Sequence, residues 1–140
     1  MNAEKIREIF HKANFVNDLG IVLGAIGSGK CETSLKILPK HLQQTQVVHA
    51  GVIATLADHT AGGAASSLLQ ENEYILTVDF KISLLRASTG ESLHCISTVI
   101  KQGKKLSFTE AEVYDILSDG SRKLVAKASV ILAVLEKTSS

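Results

Sequence analysis

At 140 residues the chain is long enough for one domain with a substantial core, and its 45% hydrophobic and 21% charged residues are those of an ordinary globular protein. A net charge of +1 gives no general electrostatic grip on nucleic acid or on a membrane surface. Cys31 and Cys95 have no metal-type spacing, the N-terminus is charged without an apolar signal core, and no unbroken apolar run reaches about 20 residues, so a cytoplasmic protein with reduced thiols is expected.

Within residues 1–13, Ile6, Ile9 and Phe10 stand at helical spacing among charges and predict a short amphipathic helix. Residues 14–20 read as a connection. Strands are expected over 21–26 and 32–38, joined by the turn Gly27-Ser28-Gly29-Lys30 and closed by Pro39, the only proline. That turn resembles a fragment of a phosphate loop, but strands flank it and its first glycine comes too late, so it is not a nucleotide site. A glutamine-rich loop over 40–48 precedes a run of small and apolar residues from about 50 to 69. The run is too long for one buried strand and predicts a central helix buried on nearly every side.

Beyond it the period changes. Segments 75–85, 92–102, 105–117 and 123–135 are strand-like, with turn signals at Ala87-Ser88-Thr89-Gly90, Gly103-Lys104 and Ser118-Asp119-Gly120-Ser121. Hairpin-connected strands around one inserted helix predict an α+β domain spanning 1–140, with an antiparallel sheet curled around that helix. One sheet face alone does not cover a helix that is apolar all round, so further cover from a second subunit is expected.

Asp58 is the residue that packing does not explain. It interrupts the apolar helix, and ionised carboxylates are rarely buried without a partner. It is either a structural group, satisfied by Thr55, His59 or a nearby loop, or it faces a cleft and does chemistry. His49-Ala50-Gly51 falls where the loop becomes the helix. The first N–H groups of a helix lack internal partners and sit at the positive end of its dipole, so this is a ready oxyanion site. The structural alternative is that Gly51 permits a tight turn and His49 caps it. Seven residues separate Gly51 from Asp58, a rise of about 10 Å, so one chain cannot bring both to the same carbonyl; a partner chain could. His59 points to another helix face and is read as a packing or interface residue. His11, His41 and His94 form no metal spacing. Lys101-Gln102-Gly103-Lys104-Lys105 is a basic turn, either a solvated hairpin or a phosphate contact.

His49-Ala50-Gly51 followed by Asp58 and Gly62 resembles the His-Gly-Gly…Asp signature of hotdog-fold acyl-CoA thioesterases, closest to the phenylacetate-pathway and thioesterase superfamily member 2 type. The lead-in Pro39-Lys40-His41-Leu42, the segment from Thr77 to Ala87 and the hairpin from Val99 to Phe108 extend the resemblance over roughly residues 14–135. It implies a hotdog fold, a long central helix wrapped by an antiparallel sheet. It also implies homodimers, or homotetramers built from two dimers, with active sites at the subunit interface. It assigns Asp58 as base or nucleophile supplied across that interface, the N–H of Ala50 beside Gly51 as oxyanion donor, and Thr77 as the hydroxyl that holds the attacking water. Gln43 stands six residues before His49, where the family has asparagine, and Ala50 stands where it has glycine. The reaction expected is hydrolysis of an acyl-CoA to a carboxylic acid and CoA without metal or redox cofactor, the CoA running near Lys101, Lys104 and Arg86. The rival readings are a hotdog hydroxyacyl-thioester dehydratase and a non-catalytic acyl-CoA-binding protein.

Overall fold

The computed structural model describes residues 1–138; the last two residues of the expected single domain, 139 and 140, lie outside the described residues. Two short helices, α1 (Ala3–His11) and α2 (Asn14–Leu19), lead into a hairpin of β1 (Val22–Gly27) and β2 (Lys30–Lys36). A 3-10 turn (Pro39–His41) and a loop follow, then α3 (Ala50–Ser66) and the strands β3 (Glu73–Leu84), β4 (Ser92–Gln102), β5 (Leu106–Ile116) and β6 (Arg122–Glu136).

The strands form one six-stranded antiparallel sheet in the order β1-β2-β4-β5-β6-β3. Side chains alternate across it. Cys31, Thr33 and Leu35 of β2, Leu93, Cys95 and Ser97 of β4, Ala111 and Val113 of β5, and Ala128, Val130 and Leu132 of β6 are buried on the inner face. Bulges in β1, β3, β4 and the β5–β6 pair interrupt the ladders. Each adds local twist, which lets the sheet curl round α3. This is the wrapped-helix arrangement expected from the sequence.

The chain itself supplies part of the cover that a second subunit was expected to give. Ile6 of α1 is buried, and Phe10 lies over α3, its ring centroid 4.1 Å from that of His59. Gly63 is where α3 comes closest to its neighbours, because a Cβ there would lie 2.6 Å from Cys31 Sγ and 3.1 Å from Phe10 Cζ. What α1 and the sheet leave half-open is a narrow stripe of α3 through Thr55, Asp58 and Gly62, spaced so that they share one face. The stripe runs beside β3, an outer strand of the sheet, where Leu76, Val78 and Leu84 are exposed.

Residues 14–20 are not the plain connection that the sequence predicted. Six of them form α2, which ends at Gly20 in the left-handed region (φ 94°). The buried His41 donates from Nε2 to the last carbonyl of α2, on Leu19, at 2.7 Å, and its Nδ1 accepts from Leu38 N at 2.9 Å. This histidine is a structural tie between α2 and the turn before the site. The central helix ends at Ser66, three residues short of the expected 69, in a turn closed by Ser67.

Candidate active site

The loop before α3 is folded on itself. Leu42 bridges Val48, Gln43 N donates to Val47 O at 2.9 Å, and Gln46 N donates back to Gln43 O at 2.9 Å. This turn brings Gln43 beside the start of the helix. At that start His49 is the N-cap, its Nδ1 accepting from Gly51 N at 2.8 Å. The cap that the sequence set against an oxyanion site is present. The cap occupies the Gly51 N–H, while the Ala50 N–H has no acceptor among the described residues. Ala50 is exposed and lines a cavity of about 310 Å³ together with Gln43, Val48, Ile53, Leu85 and Arg86. Gln43 Nε2 donates to Thr45 Oγ1 at 2.6 Å, so this amide is oriented from within its own loop.

Asp58 is half-buried on the open stripe of α3 and accepts from Thr77 Oγ1 at 2.7 Å. Thr77 pairs with Leu132 and so faces inward; the ladder slips immediately after it, leaving Val78 as the bulged residue. The bulge lets Thr77 meet the helix while Asp79, opposite Ile131, turns to the outer face. Thr55 does not serve Asp58, since its hydroxyl donates to Gly51 O at 2.8 Å. His59 turns the other way, against Phe10. Burial lowers its pKa, an effect that the nearby Asp58 carboxylate opposes, and its Nε2 is buried without a hydrogen-bond partner among the described residues.

Eight residues of helix separate Ala50 from Asp58, about 12 Å along the axis. Within one chain they therefore stand apart: Gln43, Ala50 and Arg86 at the cavity, Asp58 and Thr77 on the stripe. The basic residues also divide. Arg86 lines the cavity at the N-terminal end of α3. Lys101 and Lys104 lie at the β4–β5 turn, next to the opposite end of the helix, where Gln102 Nε2 donates to Leu68 O at 3.0 Å. Lys104 borders a separate depression of about 650 Å³ with Glu73, Lys105 and Leu106. Among the described residues no three His, Cys, Asp or Glu side chains are grouped to hold a metal ion.

Of the cavity wall formed by Leu84 to Ser88, sequence reasoning singled out Arg86 but passed over Ala87 and Ser88. It took Ala87-Ser88-Thr89-Gly90 as a plain turn. A signal was present in Asp115, which keeps the phase of Ala111 and Val113 and so falls on the inward face of its strand, away from Glu110 and Glu112. The structure buries Asp115 under that turn.

Residues 45–116 match the family described as thioesterase superfamily. Human acyl-coenzyme A thioesterase 13 is 29% identical over 126 residues, covering 89% of this chain and 87% of that protein. The 1,4-dihydroxy-2-naphthoyl-CoA hydrolase of Listeria monocytogenes is 23% identical over 119 residues, covering 85% of this chain and 94% of its own length. The crystal structure of a thioesterase family protein from Silicibacter pomeroyi is 30% identical, covers 96% of this chain and 98% of its own, and superposes with a TM-score of 0.92. With its wrapped helix and its match over half its length, the chain belongs to the thioesterase superfamily and is an enzyme of the hotdog fold.

Proposed function

We propose that the chain hydrolyses acyl-CoA thioesters to the free acid and CoA, with Asp58 as base or nucleophile. The single observation that carries this reading is Asp58 itself. It is a carboxylate on an otherwise apolar helix, half-open to solvent, held by one hydroxyl at 2.7 Å rather than by a counter-charge. As base, Asp58 takes a proton from a water held with Thr77 as that water attacks the thioester carbon. As nucleophile, it forms an acyl anhydride that water then opens. In both routes the carbonyl oxygen gains charge, the Ala50 N–H stabilises it at the positive end of α3, and the C–S bond breaks to release CoA. Gln43 orients the carbonyl from the cavity wall.

The 12 Å or so between Ala50 and Asp58 requires two chains for one site. A homodimer formed along β3 meets that requirement. This outer strand exposes Leu76, Val78 and Leu84 and borders the half-open stripe of α3. Antiparallel pairing of two such edges sets the two α3 helices end for end, so the partner's Asp58 approaches this chain's Ala50. The same reversal carries the partner's Lys101 and Lys104 toward Arg86, and the CoA phosphates then lie between basic groups of both chains. A homotetramer pairs two such dimers. Two buried, free thiols, Cys31 and Cys95, suit the reducing cytoplasm, to which we assign the protein.

The test is thiol release over a panel of short, medium, long and aromatic acyl-CoAs, with Asp58→Asn beside the wild type. Turnover that disappears in Asp58→Asn, with binding of a non-hydrolysable acyl-CoA retained, supports the reading. Unchanged turnover in that variant overturns it.

A further inference from the structure

Asp115 is the second carboxylate that packing does not explain. It lies on the inner face of β5, opposite Leu93, and is 3% exposed. It meets no cation among the described residues. Its oxygens accept from Ser88 Oγ at 2.8 Å, from Thr89 N at 3.1 Å and from Gly90 N at 3.0 and 3.1 Å. All three donors belong to the β3–β4 connection. The chain passes so close that a Cβ on residue 90 would stand 2.6 Å from both Asp115 Oδ1 and Ile116 O, and only glycine fits. Ser88, itself 1% exposed, continues the connection outward: its carbonyl accepts from Val48 N at 3.1 Å. Val48 immediately precedes the cap His49 and the donor Ala50, and Val48, Ala50 and Ser88 line one cavity. Two hydrogen-bond steps therefore join a buried carboxylate on β5 to the start of α3. Taking a carboxylate out of water is expensive unless its hydrogen bonds are made, and here they are all made to one loop.

We propose that Asp115 is a positioning residue for the reaction, holding Ser88 to Gly90 so that the Val48 and Ala50 N–H groups and one wall of the acyl cavity keep their places. The proposal rests on the thioesterase reading of that cavity. It adds a residue that touches no substrate and acts through Ser88 and Val48. Geometry at the reacting carbonyl is sensitive, a misplacement of about 1 Å being able to cost about a hundredfold in rate.

Asp115→Asn keeps the volume but turns an amide NH2 toward N–H and O–H donors. Ser88→Ala removes a single bond of the clamp and carries the test should Asp115→Asn fail to fold. Ser97→Ala is the control, equally buried, losing a 2.8 Å bond to Glu110 O far from the loop. Steady-state kinetics well below each variant's Tm are to be read beside the 15N-amide signals of Val48 and Ala50. The expected result is a fall in kcat of about tenfold or more in Asp115→Asn with KM changed less than about threefold, a smaller fall in Ser88→Ala, and wild-type kcat in Ser97→Ala. The Val48 and Ala50 signals move in the first two variants and not in the control. Wild-type kcat and unmoved signals in Asp115→Asn and Ser88→Ala, with only Tm lowered, overturn the proposal. If the wild type releases no thiol from any acyl-CoA, the thioesterase reading fails and the amide signals still decide on the clamp.

Discussion

Replacing Gly63 by alanine sets two effects of known size against each other. In the middle of a helix the change gains about 0.5–1 kcal/mol, since glycine loses more freedom on folding. Against this, the new methyl would sit 2.6 Å from Cys31 Sγ, 3.1 Å from Phe10 Cζ and 3.3 Å from Cys31 Cβ. Comfortable carbon contacts lie near 3.5–4.0 Å, so the shortfall against sulfur is about 1 Å. Cys31 is fully buried on a strand paired on both sides, and its sulfur has no open space to retreat into. Overpacking of this kind costs about 1–3 kcal/mol. The clash wins, and Gly63→Ala is expected to destabilise by about 1–2 kcal/mol, or roughly 3–7 °C in Tm for a chain of 140 residues. Thermal unfolding of Gly63→Ala, Cys31→Ala and the double variant closes the cycle. Removing the sulfur makes room for the methyl, so the two changes should couple by about 1–2 kcal/mol in the favourable direction. A rise in Tm for Gly63→Ala, or simple additivity in the double variant, refutes the close approach of α3 to β2.

Three further outcomes are expected. Thr77→Val removes a hydrogen bond to an ionised carboxylate, an interaction of about 1.5–3 kcal/mol, and should lower kcat about tenfold in the thiol-release assay while binding of a non-hydrolysable acyl-CoA persists. Burial holds the folded-state pKa of His59 below its unfolded value, so its contribution to stability is complete above about pH 6.5 and is lost as pH falls through the window beneath; His59→Phe should flatten the fall in Tm between pH 7.5 and pH 5 relative to the wild type. Cys31 and Cys95, both pushed up to about 12 by burial, should resist a thiol-specific reagent at pH 8 in the native protein and react on unfolding in urea.

Where local patterns carry the structure, the sequence was legible. The strand predicted over 92–102 is β4, and the central helix begins at Ala50, where the small-residue run meets its histidine cap. The helix α2 was missed because six residues are too few for a period to register. Its end is set from afar, by a histidine 22 positions away. Strand order was equally hidden, since β3 pairs with the last strand rather than with β4, its neighbour in the chain. In the candidate site, a charge within an apolar run drew attention to Asp58, and the resemblance supplied Thr77, which donates to it. Asp115 was missed, because its strand also carries Glu110 and Glu112 and its partners are backbone groups with no side-chain signature apart from Ser88. No local pattern could tell that Arg86 and the lysine turn lie at opposite ends of α3, because that depends on how the curled sheet closes.

The position of β3 beyond β6 has a consequence for how the chain reaches its native state. Everything between Leu84 and Arg122, the whole of β4 and β5, must be made before the strand that pairs with β3 exists. During synthesis the aliphatic segment from Ile75 to Val78 has nothing to pair with, which makes it the stretch most open to wrong association. Closing so long a loop is slow compared with forming α3 or the β1–β2 hairpin. Helix α3 can thus be in place with Asp58 upon it while Thr77 is still adrift. The Asp58–Thr77 hydrogen bond then dates from the docking of β6, so that the appearance of activity on refolding times the arrival of the last strand and not the formation of the helix that bears the acid.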